Sequence, residues 1–280
     1  MDPEETYVEL PPLPDLAHRV RTVWVQRTGP EPYVQRNLPT GGMELQCLLG
    51  TMPRLIGPLT RGCVELLSAH SEVVGARFWP GGASPLLGLP ARELVDAVVP
   101  LDELWGSAAV RLSELLANAR GPSAALGLLQ RFLVTLLAST DPPDPLVTEA
   151  VHQLMPWRPV AVAGLCSHLS VSTSQLRRRF LDTVGVGPKV LQRTLRFQGY
   201  LALAQAAGTP GGLSRGRLVD LAAQAGYADQ AHMSRECTRL GGVAPSELLG
   251  GTTDRCGCGH DHRASYQPFL AGRGREVRPG

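Results

Sequence analysis

The sequence has no apolar run of the roughly 18–20 residues that a membrane-spanning helix requires. Its start, MDPEETYVELPPLPD, is acidic and proline-rich, where a signal peptide has a basic segment and then an apolar one. Its six cysteines are scattered over 280 residues, unlike the dense disulfide framework of a small secreted domain. We therefore expect a globular cytoplasmic protein with reduced thiols and no membrane partner.

Familiar catalytic motifs are also missing. The sequence has no Walker A loop, no Gly-x-Ser-x-Gly and no His-Glu-x-x-His. Cys47 or Cys63 could be the nucleophile of a DNA-repair alkyl acceptor, but nothing in the sequence suggests an activated thiolate at either position. We predict that the protein is not an enzyme, with no catalytic residue and no cofactor.

Basic and acidic residues are unevenly distributed along the chain. Residues 1–150 hold 11 arginines against 17 acidic residues, a net charge of −6, and residues 151–280 hold 16 basic against 8 acidic residues, a net charge of +8. Lys189 is the only lysine, which together with 31 glycines and 24 prolines points to a GC-rich genome. Arginine abundance alone therefore does not indicate phosphate binding, whereas the charge asymmetry makes the second half the candidate for contacting nucleic acid.

The spacing of apolar residues and chain breakers divides the sequence into segments. From Val20 to Pro80, short runs rich in Val and Leu are broken by Gly and Pro, which indicates strands of a small barrel or sandwich. After Pro85 the apolar residues recur at three and four residues, which is typical of amphipathic helices. The pattern predicts an α+β N-terminal domain, β-rich and then helical, over residues 1–140, followed by a linker over 141–145, an all-α domain over 146–250 and a flexible Gly/Arg-rich tail over 251–280.

Residues 160–245 contain an internal repeat. Three positions of the first copy recur 57 residues later with matching character, as the pairs Ser172 and Asp229, Arg178 and Arg235, and Pro188 and Pro245. Each copy has the pattern of a helix-turn-helix, in which a short helix with small residues leads through a tight turn to a capped second helix. Ser172 and Gln175 have the spacing of a capping box, and Gly185 and Gly242 can end the second helices in the left-handed conformation.

The second helix of the first copy has one apolar stripe, formed by Leu176, Phe180 and Val184. Burial of that stripe turns the opposite side of the helix, including Ser174, Arg177 and Arg178, toward solvent. Pro188 can then begin a helix that runs to about Ala207, roughly 30 Å at 1.5 Å per residue. That length is close to the roughly 34 Å turn of DNA, so two helix-turn-helix units at its ends could enter successive major grooves.

The segment from Val160 to Leu249 resembles the DNA-binding domain of the AraC/XylS family of transcription regulators, an all-α domain of two helix-turn-helix units. The second copy, LAAQAGYADQAHMSRECTRLGGVAPSELL, carries the more specific match, with its alanine, Gly-aromatic pair, polar helix start, arginine and Gly-Val-x-Pro in the family's order. One departure is Cys237, which stands where the family has an aromatic residue. The resemblance implies a sequence-specific regulator of transcription that reads two adjacent major-groove segments of double-stranded DNA. It implies DNA contacts by Ser174, Arg177 and Arg178 in the first recognition helix and by Gln230, His232, Ser234 and Arg235 in the second.

The acidic N-terminal half has no electrostatic reason to contact DNA, so we expect it to bind a small-molecule effector, to contact RNA polymerase or to form a homodimer. The helical run from Ala108 to Ser139 has more apolar residues than one helix face needs. We expect part of this surplus to meet a second copy of the chain, with Leu129 in the interface if the helix at 123–139 forms it.

An alternative function comes from the tail, where Cys256, Cys258, His260 and His262 supply ligand types suited to zinc. The spacing argues against a tetrahedral site, because single-residue gaps make it hard for one short segment to occupy four corners. The chemistry nevertheless leaves a metal-binding or metal-sensing protein as the alternative to a DNA-binding regulator.

Overall fold

The computed structural model describes residues 6–158, 160–208, 215–250 and 262–271. In these residues, strands occupy the chain up to Pro100 and α-helices begin at Asp102. We call residues 6–140 the N-terminal region and residues 146–250 the C-terminal region. The predicted fold class is confirmed, because an α+β region, β-rich and then helical, precedes an all-α region that contains two helix-turn-helix units.

The strands of the described residues are β1 (Thr6–Leu10), β2 (Val20–Arg27), β3 (Tyr33–Asn37), β4 (Glu44–Leu48), β5 (Arg54–Ile56), β6 (Cys63–Leu67), β7 (Glu72–Phe78) and β8 (Val98–Pro100). The α-helices of the same residues are α1 (Asp102–Trp105), α2 (Ser107–Ala117), α3 (Pro122–Ala138), α4 (Pro145–Gln153), α5 (Val162–His168), α6 (Thr173–Thr183), α7 (Pro188–Ala206), α8 (Arg215–Gln224), α9 (Gln230–Gly241), α10 (Pro245–Gly250) and α11 (Arg263–Ala271).

The strands form two antiparallel sheets of unequal size. Six strands pair in the order β1-β2-β7-β4-β5-β8, and β3 pairs with β6 in a second sheet. Successive residues of a strand face opposite sides, so Val23 and Val74 pack toward the helices, whereas Trp24 and Val73 pack with residues of β3 and β6. The arrangement is therefore a sandwich, the second of the two alternatives that the sequence leaves open, rather than a barrel.

A glycine in β7 makes room for the largest side chain between the two sheets. Gly75 pairs with Trp24 across β2 and β7. A Cβ atom on Gly75 would lie 2.3 Å from Trp24 Cε2, which is closer than two carbon atoms can approach. Only glycine at this position therefore lets the indole lie flat over β7, where Tyr7 stacks on it with a centroid distance of 5.9 Å.

Helices α2 and α3 cover the other face of the large sheet. Leu126, Leu129, Leu133 and Leu137 of α3 are all buried in one core with residues of β2, β4 and β7. Leu129 is completely inaccessible to solvent. The prediction that this side chain lies in a dimer interface is therefore wrong, because the surplus apolar surface of α3 is covered by the chain's own sheet.

The C-terminal region has two cores that share α7. One core joins α4, α5 and α6 with Leu191 and Leu195 in the first half of α7. The other joins α8, α9 and α10 with Phe197 and Tyr200, also on α7. Residues 197–204 of α7 are buried on every side, because the second core and α11 pack around this part of the helix and Gln198 donates to the carbonyl of Pro39. The 19 residues of α7, about 28 Å long, agree with the predicted helix.

Helix α11 lies within the segment for which the sequence predicts a flexible tail. Ser265 and Phe269 are buried, and the helix packs against α7, β1 and β2. The prediction of a flexible tail is therefore wrong for residues 262–271. A nine-residue helix with Pro268 inside it is too short to show a recognisable periodic pattern in the sequence, and its stability depends on these tertiary contacts. Residues 251–261 and 272–280 lie outside the described part of the chain.

Candidate nucleic-acid interface

The first recognition helix, α6, begins and ends where the sequence predicts. The backbone N–H of Gln175 donates to Ser172 Oγ at 3.1 Å, and the N–H of Ser172 donates to Gln175 Oε1 at 3.0 Å, which completes a capping box. Gly185 has a φ of +89°, the left-handed conformation expected after the helix. These ends fix the extent of α6.

The side chains of α6 separate into a buried and an exposed face. Leu176 and Phe180 are inaccessible to solvent, as predicted. Ser174, Arg177 and Arg178 are all exposed, and Ser174 and Arg178 lie one turn apart on the side opposite the buried residues. An exposed serine and two exposed arginines form a surface that can donate hydrogen bonds to phosphates and base edges.

The third arginine of this run has a structural partner. Arg179 Nη1 donates to Asp144 Oδ2 at 2.7 Å, and Asp144 also caps α4 through the N–H of Leu146. This ion pair ties α6 to α4. Arg179 therefore belongs to the scaffold of the first unit, whereas Arg177 and Arg178 form no ion pair among the described residues.

The second recognition helix, α9, is capped in the same way. Asp229 Oδ1 accepts from the N–H of His232 at 2.6 Å, and Gly242 ends the helix with a φ of +79°. Met233 and Cys237 are buried. Arg235, one turn past Ala231 and opposite the buried side, is exposed. The sulfur of Cys237, in place of the family's aromatic residue, lies 3.6 Å from the sulfur of Met233 within the core.

Three predicted residues of α9 are less accessible than those of α6. Gln230, His232 and Ser234 are each half-buried. The His232 ring meets the Tyr227 ring edge-on, with centroids 5.3 Å apart. In this arrangement, Arg235 is the most accessible of the four residues that the sequence predicts in the second helix.

The linker helix is joined directly to the second unit. Arg193 Nε of α7 donates to Glu236 Oε2 of α9 at 2.9 Å, and the Arg196 guanidinium lies 5.7 Å from the centroid of the Tyr227 ring. These two contacts hold α9 at a defined rotation about the linker helix.

Two basic residues at this surface were not singled out by sequence reasoning. Arg239 is exposed one turn after Arg235 on α9, and Lys189 is exposed in the first turn of α7, where it lines the same groove as Arg177. The i, i+4 spacing from Arg235 could have identified Arg239. No comparable signal marked Lys189, because its closeness to Arg177 follows from the fold of the turn between α6 and α7.

The N-terminal region contacts the C-terminal ends of both recognition helices. Arg92 forms an ion pair with Asp182 near the end of α6. At the end of α9, the N–H of Gly62 donates to the carbonyl of Leu240 at 2.7 Å, and Arg36 Nη1 donates to the carbonyl of Gly241 at 3.2 Å. A guanidinium at a helix C-terminus is stabilised by the last carbonyls and by the helix dipole.

The predicted metal ligands are not gathered into a site within the described part of the chain, where no group of three His, Cys, Asp or Glu residues could hold an ion. Cys256, Cys258 and His260 lie outside the described residues. His262 is described, and its Nδ1–H donates to Glu9 Oε1 at 2.7 Å. Its partner is therefore a buried carboxylate of β1.

The two cysteines considered as nucleophiles are poorly suited to that role. Burial raises the pKa of the Cys47 thiol far above its ordinary value. Burial, with the nearby Glu65, also raises the pKa of Cys63. Neither environment favours the reactive thiolate.

Comparison with known families gives two matches. Residues 8–100 match a domain of unknown function (DUF6597), and residues 165–250 match a helix-turn-helix domain. The second match covers both capped units and α7. The C-terminal region belongs to the AraC/XylS family. The chain is therefore a DNA-binding transcription regulator.

Solved structures of ToxT from Vibrio cholerae are similar to this chain at low sequence identity. One ToxT structure is 16% identical, with a TM-score of 0.46 over 82% of this chain and 98% of that chain. Another, of ToxT with an unsaturated fatty acid bound, is 14% identical, with a TM-score of 0.43 over 93% of this chain and 99% of that chain. No curated protein sequence matches the chain. No helix in the described ranges is both long and apolar enough to cross a membrane.

Proposed function

We propose that this regulator reads two adjacent major-groove segments of duplex DNA, one with α6 and the other with α9. The observation that carries the proposal is the pair of capped helices, each with an exposed arginine opposite its buried side, attached to one helix about 28 Å long. This length suits two units that enter the major groove about one helical turn apart on the same side of the DNA.

Each predicted contact has a role that fits its exposure. Arg178 and Arg235 are the most favourably placed for base edges, where a guanidinium can donate two hydrogen bonds to guanine. The other predicted residues lie beside these two arginines and contact bases or the sugar-phosphate backbone. They are Ser174, Arg177, Gln230, His232 and Ser234. Lys189 and Arg239 extend the same basic surface and are suited to phosphates.

The spacing between α6 and α9 is held by contacts with the N-terminal region as well as by α7. The N-terminal region contacts α6 through Arg92 and α9 through Arg36 and Gly62. Contacts from one body to the ends of both helices resist changes in their separation. We therefore propose that the regulator prefers one spacing between its two half-sites.

We further propose that the linker at 141–145 separates two domains. The residues of the N-terminal core end at Leu137, and those of the first C-terminal core begin at Val147. The N-terminal domain, with its net negative charge, is assigned to effector binding, contact with RNA polymerase or homodimer formation rather than to DNA. Leu129 has no part in such a dimer, because it is buried.

The test is a selection of preferred DNA sites from a random library with the full chain and its variants. Arg178→Ala and Arg235→Ala should each weaken binding to the preferred site by about 1–3 kcal/mol and relax preference at a few base pairs. The two relaxed positions should lie about one helical turn apart on the DNA.

Arg179→Ala is the matched control, because Arg179 is on α6 but is paired with Asp144. It should leave the base preference unchanged. If Arg178→Ala and Arg235→Ala also left the preference unchanged, or if both relaxed it at the same positions, two-segment reading by these helices would be refuted.

A further inference from the structure

A small cavity lies where the large sheet meets the linker helix and α11. Its walls include Arg21 of β2, Glu44 of β4, Gln198 of α7 and Ser265 of α11. The cavity volume is about 70 Å³, several times the roughly 10–15 Å³ needed to hold one water molecule. It can hold a molecule of a few heavy atoms.

Arg21 is a buried cation without an ion pair. Arg21 is only 5% exposed to solvent, yet no carboxylate among the described residues forms a salt bridge with it. Nη1 donates to the carbonyl of Thr40 at 3.2 Å, and Nε is buried without a hydrogen-bond partner. The Phe269 ring lies 5.5 Å from the guanidinium carbon. A buried N–H donor without a partner is costly, and because Arg21 lines the cavity, an acceptor bound there would reduce that cost.

The other charged groups around the cavity each have a partner within the protein. Arg77 donates to Glu44 Oε2 at 2.7 Å and forms a second ion pair with Glu9, which also accepts from His262. Arg36 donates to the carbonyl of Gly241. Three arginines and two glutamates leave the surroundings with a net positive charge even when His262 is neutral. Both carboxylates form their ion pairs with Arg77, and they act on Arg21 only at longer range.

The Arg21 guanidinium remains charged under ordinary conditions. Burial, together with the nearby charge of Arg77, lowers its pKa to about 10. At neutral pH the group is therefore still a cation, and its environment has already removed most of the water that would otherwise solvate it. A charged donor in such a place forms strong hydrogen bonds with an anion.

We propose that this cavity binds a small oxyanion, either a carboxylate or a phosphate, whose oxygens accept hydrogen bonds from the Arg21 guanidinium. The small volume favours a ligand of a few heavy atoms over a drug-sized one, whose pockets occupy roughly 300–1,000 Å³. The occupant would touch the sheet, α7 and α11 together. This inference goes beyond DNA reading and does not depend on it, because the test below contains no DNA.

The probes are sodium acetate and sodium phosphate, each replacing sodium chloride at constant ionic strength and neutral pH. Titration calorimetry and thermal unfolding of the full chain should show saturable binding of at least one anion. Acetate alone would identify a carboxylate as the ligand, phosphate alone would identify a phosphate, and binding of both would indicate a general oxyanion site. Arg21→Gln should lower the affinity at least tenfold, because it removes a charged donor.

Arg27→Gln is the matched control, since Arg27 lies on the same strand but is half-exposed and paired with Glu72. It should bind the anions as the unaltered chain does. Arg21→Lys is the second variant if Arg21→Gln does not fold, and it should also weaken binding because it keeps the charge but lacks the Nε donor. No saturable binding of either anion to the unaltered chain, or equal affinity of Arg21→Gln or Arg21→Lys, would overturn the proposal.

Discussion

Replacing Glu9 by glutamine should destabilise the fold strongly. The Glu9 side chain is fully buried, and it pairs with Arg77 while accepting from His262 Nδ1 at 2.7 Å and from the N–H of Ser265 at 2.9 Å. Glutamine preserves the shape but leaves the Arg77 charge with one carboxylate fewer. Loss of one partner of a buried ion pair costs roughly 3–5 kcal/mol, so we expect Tm to fall by about 6–20 °C.

The pH dependence gives a second measurement of the same interaction. Burial alone would raise the pKa of Glu9, but the Arg77 charge and the His262 hydrogen bond outweigh it and hold that pKa well below the ordinary value. The stabilisation is therefore complete above the unfolded-state pKa of about 4.3 and is lost as the pH falls below it. Urea unfolding at pH 7 and at pH 3 should show a smaller difference between Glu9→Gln and the unaltered chain at the lower pH.

The matched control is Glu72→Gln, because Glu72 and Arg27 form an ion pair that is more than a third exposed on both sides. Its cost should be at most about 1 kcal/mol at pH 7. If Glu9→Gln cost no more than Glu72→Gln, or if its effect did not change between the two pH values, the buried carboxylate of Glu9 would not stabilise the fold through Arg77 and His262.

Four further outcomes are expected. The logarithm of DNA affinity should fall linearly with the logarithm of salt concentration in filter binding, and salt-independent binding would contradict the basic interface. Gly185→Ala should cost about 1–3 kcal/mol in urea unfolding, because φ is +89° and the new Cβ would lie 2.8 Å from Pro58 Cγ, whereas Gly187→Ala meets no atom within 4 Å and should cost less. Arg36→Ala should widen the range of half-site spacings accepted in a binding selection, and an unchanged range would refute the role of this contact. Removal of residues 251–280 should lower Tm by several degrees, because it removes buried Phe269 and two donors to Glu9, and an unchanged Tm would show that α11 is dispensable.

The recognition helices illustrate what local sequence predicts well. A cap, a buried stripe and a terminating glycine all lie within about 15 residues, so Ser172, Phe180 and Gly185 are enough to define α6 and its exposed face. The repeat then places α9 in the same way. Exposure of individual residues on α9 was less predictable, since Gln230, His232 and Ser234 are half-buried by packing of the second unit.

The sequence by itself determined the α+β and all-α regions, the two helix-turn-helix units and the long helix between them, because hydrophobic period and capping are local properties. Only the tertiary structure decided that Leu129 is covered by the chain's own sheet and that α11 returns to pack against β1. It also decided that Arg21 lies beside a cavity with no partner for its Nε among the described residues, while Arg77 pairs with both nearby carboxylates. These features join residues as far apart as Glu9 and His262, and no local pattern encodes which distant groups meet when the chain folds back on itself.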